Sequence, residues 1–442
     1  MPTALEQIDH IFILMMENRS FDHMLGYLDL QGHPVTGIAD ARRANYANLL
    51  NGQRYAPIAR TDPTVPVDPL HERNDIRRQM RRRPDDPMMT GFVADYSTVS
   101  AEDPYPVGQF YESAQVWMMD FLARNFCVCD RWFASLPAST QPNRLMSMSG
   151  YTLRDYSTNN LFEDQENMAY DWLDAHGVSW RVYSEGFPFF ALMPKILKRI
   201  ISDIWSTHFR GFEDLEHDCQ SADGLPQVIF IEPQFTNGAQ PEKADDDHPL
   251  TPITRGEEFL RRVYSAVASN TNIWSKSLLV ITYDEHGGFF DHVQPVAFVT
   301  PQNHGEKYAL FTTAGVRVPA LIVSPFVGAG SIFHESLDHT SILKLLADKY
   351  APGEIYSPDV AARRPFHSLA EVLTEVAARS GPAPQPPPVP SGATVSPVPS
   401  RRPIPAPNSI AVFNALEEMR RLDPEVAAHK FPAWSQYFLK GR

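Results

Sequence analysis

Residues 277–293 read SLLVITYDEHGGFFDHV, apolar or β-branched from Leu278 to Tyr283 and then abruptly charged. A short, nearly continuous apolar run of this kind marks a strand buried on both faces, as in a parallel sheet. Asp284 and Glu285 fall where such a strand stops, with His286, Asp291 and His292 close behind. Carboxylates crowded at a strand end repel one another unless a cation offsets their charge. Gly287 and Gly288 permit a tight turn with close backbone approach directly after them.

Working outward, the same pattern recurs in IDHIFILMMEN (a strand over Ile8 to Met16), VSWRVYSE, LPQVIFIEP and VPALIVSPF. Between these runs, GEEFLRRVYSAVASN, DHTSILKLLADKYA and FHSLAEVLTEVAAR carry amphipathic helical spacing. Strands alternating with helices predict an α/β fold, a mostly parallel central sheet sandwiched by helices. Ligands of such sheets bind beyond the carboxyl ends of the strands, where the polar clusters lie.

The chain has 442 residues, with 43% hydrophobic and 21% charged, the composition of a globular protein with a sizeable core. A net charge of −14 argues against a nucleic-acid partner held through phosphates. Cys127 and Cys129 stand too close for an ordinary disulfide and Cys219 lacks an obvious partner, so buried free thiols are expected. MPTALEQIDHIFILMMENRSFD has no basic region and no long apolar run, so no signal peptide or transmembrane segment is expected. As written the chain reads as cytoplasmic; a removed leader or another export route is compatible with it.

Residues 1–380 form the expected catalytic domain, 381–407 a Pro-rich, semi-rigid linker, and 408–442 a helical tail that docks back or mediates assembly into oligomers. The stretch 41–100 is rich in Arg, Asp and Pro; its RRQMRRRPDDP reads as a solvated face rather than a binding patch.

Three further clusters carry candidate chemistry. Glu17 and Asn18 close the first strand and offer hard oxygen ligands of the kind Ca²⁺, Mg²⁺ or Mn²⁺ prefers; a capped turn is the plainer alternative. ASTQPNRLMSMSG places Ser139 and Thr140 at the start of a helical pattern, where a hydroxyl is either an N-cap or a nucleophile near the positive end of the dipole. His71, His248 and His339 sit in polar, non-periodic contexts, with structural or acid–base roles both open.

Taken together, IDHIFILMMENRSFDHMLGYL, DPLHERND with MMTGFV, STQPNRLMSMSG, LPQVIFIEPQF, DDDHP, VITYDEHGGFFDHV and VRVPALIVSPF with DHTSILKLL resemble the bacterial phosphoesterase family of phospholipases C and acid phosphatases. The likeness spans about residues 8–350 in family order. It implies an alkaline-phosphatase-like fold and one divalent cation (Ca, Mg or Mn) held by Glu17, Asn18, Thr140, Asp284 and Glu285. It also implies Thr140 as the nucleophile of a covalent phospho-threonine intermediate, and His71 and His248 at the phosphate, with Asp247 orienting His248. His339 matches a motif whose role in the family is structural, and His286, Asp291 and His292 support the cation or turn the chain. The implied activity is metal-dependent hydrolysis of phosphodiester, phosphocholine-like substrates or phospholipids; broad phosphomonoester hydrolysis is the alternative, and a non-catalytic binding module ranks behind both. Gln141 departs from the His or Asp that many relatives carry after the Thr. Trp180, Tyr183, Phe187, Phe189 and Phe190 are candidates for an aromatic wall around a choline cation, with core packing as the competing role.

Overall fold

The computed structural model describes residues 2–43, 45–81, 83–202, 208–221, 224–238, 240–298, 304–390 and 407–439. Eight strands form the main sheet: β1 (His10–Met16), β2 (Cys127–Cys129), β3 (Trp180–Ser184), β4 (Phe209–Gly211), β5 (Val228–Glu232), β6 (Ser277–Tyr283), β7 (Ala320–Val323) and β8 (Ile332–Phe333). Their order is β8-β2-β7-β6-β1-β5-β3-β4. All neighbours run parallel except around β7, which is antiparallel to both β6 and β2. The mostly parallel sheet expected from the sequence is borne out. The orientation of β7 was not foreseen, because its apolar run reads alike in either direction.

The helices that matter for the site are α1 (Arg73–Met80), α2 (Trp117–Asn125), α3 (Thr140–Ser149), α4 (Pro194–Ser202), α5 (Ile253–Ala268), α6 (Thr340–Tyr350) and α7 (Pro407–Leu422). Ile13 and Met15 of β1 face Met148 of α3 and Ile342 and Leu346 of α6. On the opposite face the Tyr283 hydroxyl meets Met119 of α2, which packs with α5. Every residue of β6 is buried, as are six of the seven in β1. That two-sided burial is why these strands read as unbroken apolar runs.

Residues 366–379 depart from expectation. Instead of a long helix they form one 3-10 turn, Leu369–Val372, opened by a Ser368–Glu371 capping box. Beyond it the backbone bonds to another loop: Glu375 N donates to Phe326 O and Arg379 N to Pro325 O. Those tertiary bonds replace the i→i−4 ladder, and Val376 is left exposed.

The stretch 41–100 builds a second small core. Val65, Ile76, Met89, Phe92 and Val93 pack around Phe289 and Phe290, which explains the two phenylalanines after the glycine pair. Arg77, Arg81 and Arg83 are exposed. The cysteines are free and buried, as expected. The tail docks back on the domain: α7 buries Ala411, Val412, Ala415, Leu416 and Met419 on a face that packs against α4 and the turn Phe189–Leu192. Most of the Pro-rich tract, residues 391–406, lies outside the described residues. No described helix is long and apolar enough to cross a membrane.

Candidate active site

The site is made where β1 and β6 end. The two strands pair in register from His10↔Ser277 to Met16↔Tyr283, so Glu17–Asn18 and Asp284–Glu285 leave the sheet side by side. Asn18 takes a left-handed backbone, φ 61°, and its N–H donates to Asp284 Oδ1 at 3.2 Å. The turn that follows β6 needs its glycines. A Cβ at Gly287 would stand 2.3 Å from Asn18 O, and one at Gly288 would stand 2.7 Å from Leu70 O. This close approach brings the Pro69–His71 loop against the strand ends. Asn18 Nδ2 then lies 3.4 Å from His71 Nε2, and His71 Nδ1 donates to Pro69 O at 2.7 Å.

Thr140 is the first residue of α3, and Ser139 is its N-cap. Asn143 ties the approach to the helix, donating to Leu136 O and Ala138 O and accepting from Leu136 N. The Ser139 hydroxyl is engaged, donating to Glu72 Oε2 at 2.8 Å. Thr140 Oγ1, in contrast, is buried without a partner. Arg144 lies four residues along, on the same helix face. Its guanidinium sits 3.3 Å from both Glu17 Oε1 and Asp284 Oδ2, with the rings of Phe189 and Phe235 at 4.9 and 4.8 Å.

The electrostatics follow from burial. Glu17, Asp284 and Glu285 are at most 1% exposed. Burial and the charges of Asp284, Asp246 and Glu285 hold the Glu17 carboxyl well above its ordinary range, with Arg144 opposing. Burial and Glu285 push Asp284 up to about 6 against the pull of Arg144. Burial would raise Glu285 too, but His71, His286 and the Gly287 N–H outweigh it and bring it below the ordinary value. For His71, Glu285, Asp68 and Glu72 outweigh burial and push the imidazole up to about 9.

One oxygen on each of Glu17 (Oε2), Asn18 (Oδ1), Thr140 (Oγ1), Asp284 (Oδ2) and Glu285 (Oε1) is buried without a hydrogen-bond partner. Fifteen other buried side-chain atoms of the described residues also lack a hydrogen bond, but these five are all oxygens on the residues that close β1 and β6 and open α3, and they call for an explanation. A hard divalent cation supplies one, and the donor set, all oxygen, fits it.

His286, Asp291 and His292 were expected to support the cation or turn the chain. Ligand atoms of Asp22, Asp291 and His292 lie within 4.8 Å of one another. Arg317, however, stands among them, with Nη2 3.0 Å from Asp22 Oδ1 and Nε 3.0 Å from Asp291 Oδ1. Asp22 Oδ2 also takes His292 Nδ1 at 2.6 Å. A guanidinium already balances this cluster, and its carboxylates are fully engaged. His286 instead supports Glu285 from Nδ1 at 3.3 Å while its Nε2 donates to Gln79 Oε1 of α1.

His248 and His71 meet edge to face, their centroids 5.8 Å apart. Asp247 does not orient His248, contrary to expectation. Its φ of 71° turns the carboxylate away, where Oδ2 accepts from Tyr283 Oη at 2.6 Å. His248 is held instead by Asp246, which accepts from its N–H, and by Asn237, whose Nδ2 lies 3.2 Å from Nε2. His339 has a structural place: Trp132 Nε1 donates to Nδ1, so Nε2 carries the proton and donates to Asp284 O at 2.6 Å. Burial pushes its imidazole down to about 4.

The aromatic candidates scatter. Trp180 stacks on Tyr170, Tyr183 bonds to Asp218, and Phe189 and Phe190 are buried. Of the five, Phe187 alone lines the cavity of about 390 Å³ between the ends of β3 and β4 and the tail, with Gln234, Phe431 and Trp434, and none of the residues of the candidate site lines it. Sequence reasoning assigned no role to Arg144, Glu72 or Asn237. The four-residue spacing from Thr140 to Arg144 was a readable signal; nothing local marks the other two.

The Phosphoesterase family model matches residues 8–351. Non-specific phospholipase C3 of Arabidopsis thaliana is 30% identical over 354 residues, covering 75% of this chain and 66% of that protein. Non-specific phospholipase C1 of the same plant is 31% identical over 345 residues, covering 74% and 62%. Phospholipase C B of Mycobacterium tuberculosis is 27% identical over 416 residues, covering 79% and 74%. The match thus spans a little under two-thirds of the plant relatives' length. Among solved structures, a phosphonate monoester hydrolase of Agrobacterium radiobacter has a TM-score of 0.38 at 11% identity, covering 83% of this chain and 77% of that one. A protein in the alkaline phosphatase superfamily from Vibrio parahaemolyticus has a TM-score of 0.32 at 11% identity, covering 55% and 63%.

Proposed function

The chain belongs to the Phosphoesterase family, and from that premise we propose that it is a metal-dependent phosphoric ester hydrolase of the phospholipase C type. The observation that carries this reading is the set of five buried oxygens without a hydrogen bond among the described residues, on Glu17, Asn18, Thr140, Asp284 and Glu285. A divalent cation held there would acidify the Thr140 hydroxyl and draw charge from the phosphoryl oxygens. Thr140 Oγ1, its proton lost to solvent, attacks phosphorus as the bond to the alcohol breaks, forming a phospho-threonine. One of His71 and His248 donates a proton to the departing oxygen while the other binds a phosphoryl oxygen. Water then attacks phosphorus, the bond to Thr140 breaks and the hydroxyl is regenerated.

The likeness to phospholipases C favours a diester substrate, of the phosphocholine kind that the family resemblance implies. The test is a panel of p-nitrophenylphosphorylcholine and p-nitrophenyl phosphate, each with and without EDTA. Faster, EDTA-sensitive hydrolysis of the phosphorylcholine ester is expected. Preference for the monoester would move the reading to a phosphatase, and hydrolysis indifferent to EDTA would remove the cation.

A further inference from the structure

Gln141, the residue after the proposed nucleophile, is fully buried, and its side-chain amide spends its whole bonding capacity. Oε1 accepts from Arg154 Nη1 at 2.6 Å and from Thr158 N at 3.0 Å. Nε2 donates to Thr158 O at 2.9 Å and to Asn408 Oδ1 at 2.7 Å. The last partner comes from the tail. Asn408 is the second residue of α7, separated from Gln141 by 267 positions and lying outside the family match. Asn408 is itself 7% exposed, and its neighbour Ser409 3%. Ser409 Oγ lies 3.5 Å from Asn237 Oδ1, and Asn237 Nδ2 faces His248 Nε2. The first turn of α7 thus reaches both the residue beside Thr140 and the group that holds His248. The apolar face of the same helix, buried on α4, anchors it there.

We infer that Asn408 is a positioning residue for the active site, fixing the Gln141 amide beside Thr140. Without Asn408 Oδ1 one N–H is left buried and unsatisfied, which forces the amide to move. Positioning groups act over fractions of an ångström, so a shift of Gln141 alters how the substituent is seated beside the attacking oxygen.

This inference rests on the hydrolase reading, and the test separates the two. In the full chain, Asn408→Leu, Asn408→Asp, Gln141→Leu and the double variant Asn408→Leu/Gln141→Leu are compared with Asn414→Ala. Asn414 sits on the same helix and donates to Asn159 O at 2.8 Å. Loss of one buried hydrogen bond corresponds to about a tenfold effect. The ratio of kcat/KM for p-nitrophenylphosphorylcholine over p-nitrophenyl phosphate should change about tenfold in Asn408→Leu. It should return in Asn408→Asp, which keeps the acceptor, and stay unchanged in Asn414→Ala. The double variant should lose no more than Gln141→Leu alone.

An unchanged ratio in Asn408→Leu, no rescue by Asp, or additive losses would overturn the positioning role; so would a fall in thermal stability without a change in the ratio. Calorimetric binding of orthovanadate to the same variants is the second readout. If the wild type hydrolyses neither ester, the hydrolase reading falls. Non-additive vanadate binding between positions 141 and 408 would still support the positioning role, and additive binding would overturn it.

Discussion

Replacing Thr140 with Val should make the cation-free protein more stable while ending catalysis. The two side chains share shape and β-branching, so helix propensity at the first position of α3 hardly changes. What changes is Oγ1, which is buried and without a partner. An unsatisfied buried hydroxyl costs about 1–3 kcal/mol. Unfolding entropy of about 2.1 cal/mol/K per residue over 442 residues gives roughly 0.9 kcal/mol/K, so Tm should rise by about 1–3 °C. Scanning calorimetry in EDTA measures this directly. Adding saturating Mn²⁺ or Ca²⁺ should narrow or reverse the gap, because only the threonine gains a ligand. Rapid quench followed by peptide mass spectrometry should find phosphate on the Thr140 peptide of the wild type and none in the variant. A variant that melts lower in EDTA would show that the hydroxyl has a structural partner, and one that turns over substrate would remove Thr140 from the mechanism. Thr140→Ser, which keeps the hydroxyl, should remain active.

The remaining expectations address the surroundings of that hydroxyl. A cation at 100 times its Kd stabilises a protein by about 2.7 kcal/mol, or roughly 3 °C for a chain of this length; Glu17→Gln and Asp284→Asn should lose most of that shift in a melting titration. Gly256→Ala, ordinarily worth about 1 kcal/mol of helix propensity, should instead destabilise, because its Cβ would stand 1.9 Å from Asp247 Oδ1 and break the bond to Tyr283; a higher denaturation midpoint would refute this. In the Asp22–Arg317–His292 cluster, burial lowers the His292 imidazole, but Asp22 outweighs it and the net shift is upward. Protonated His292 therefore stabilises the fold fully below the ordinary value of about 6.5, and that stability is lost as pH rises through its raised folded value. The stability gap between wild type and His292→Gln should accordingly be larger at pH 6 than at pH 9, and a gap that widens at pH 9 would contradict the pairing.

The sheet and most of the site were legible because their signals are local. A strand buried on both faces shows itself as an apolar run, and a polar cluster at its end shows where the ladder stops, as at Met16–Glu17 and Tyr283–Asp284. What stayed hidden depends on the fold closing. Asp247 precedes His248 in the chain and looked like its partner, yet a single left-handed backbone conformation directs the carboxylate to Tyr283. The apolar spacing of 366–379 suits a helix, but its backbone finds better partners in the loop at Pro325–Phe326. Neither β7's direction nor the docking of Asn408 on Gln141 leaves any trace in neighbouring residues.

If the proposed cation binds at this site, Arg144 would make its arrival independent of folding. Three buried carboxylates would otherwise make folding wait for metal, as it does in small domains whose cores are built around an ion. The guanidinium between Glu17 and Asp284 supplies an internal counter-charge from the chain itself. On the proposed reading the fold would then not wait for the ion, and occupancy of the site would follow the ion content of the surroundings.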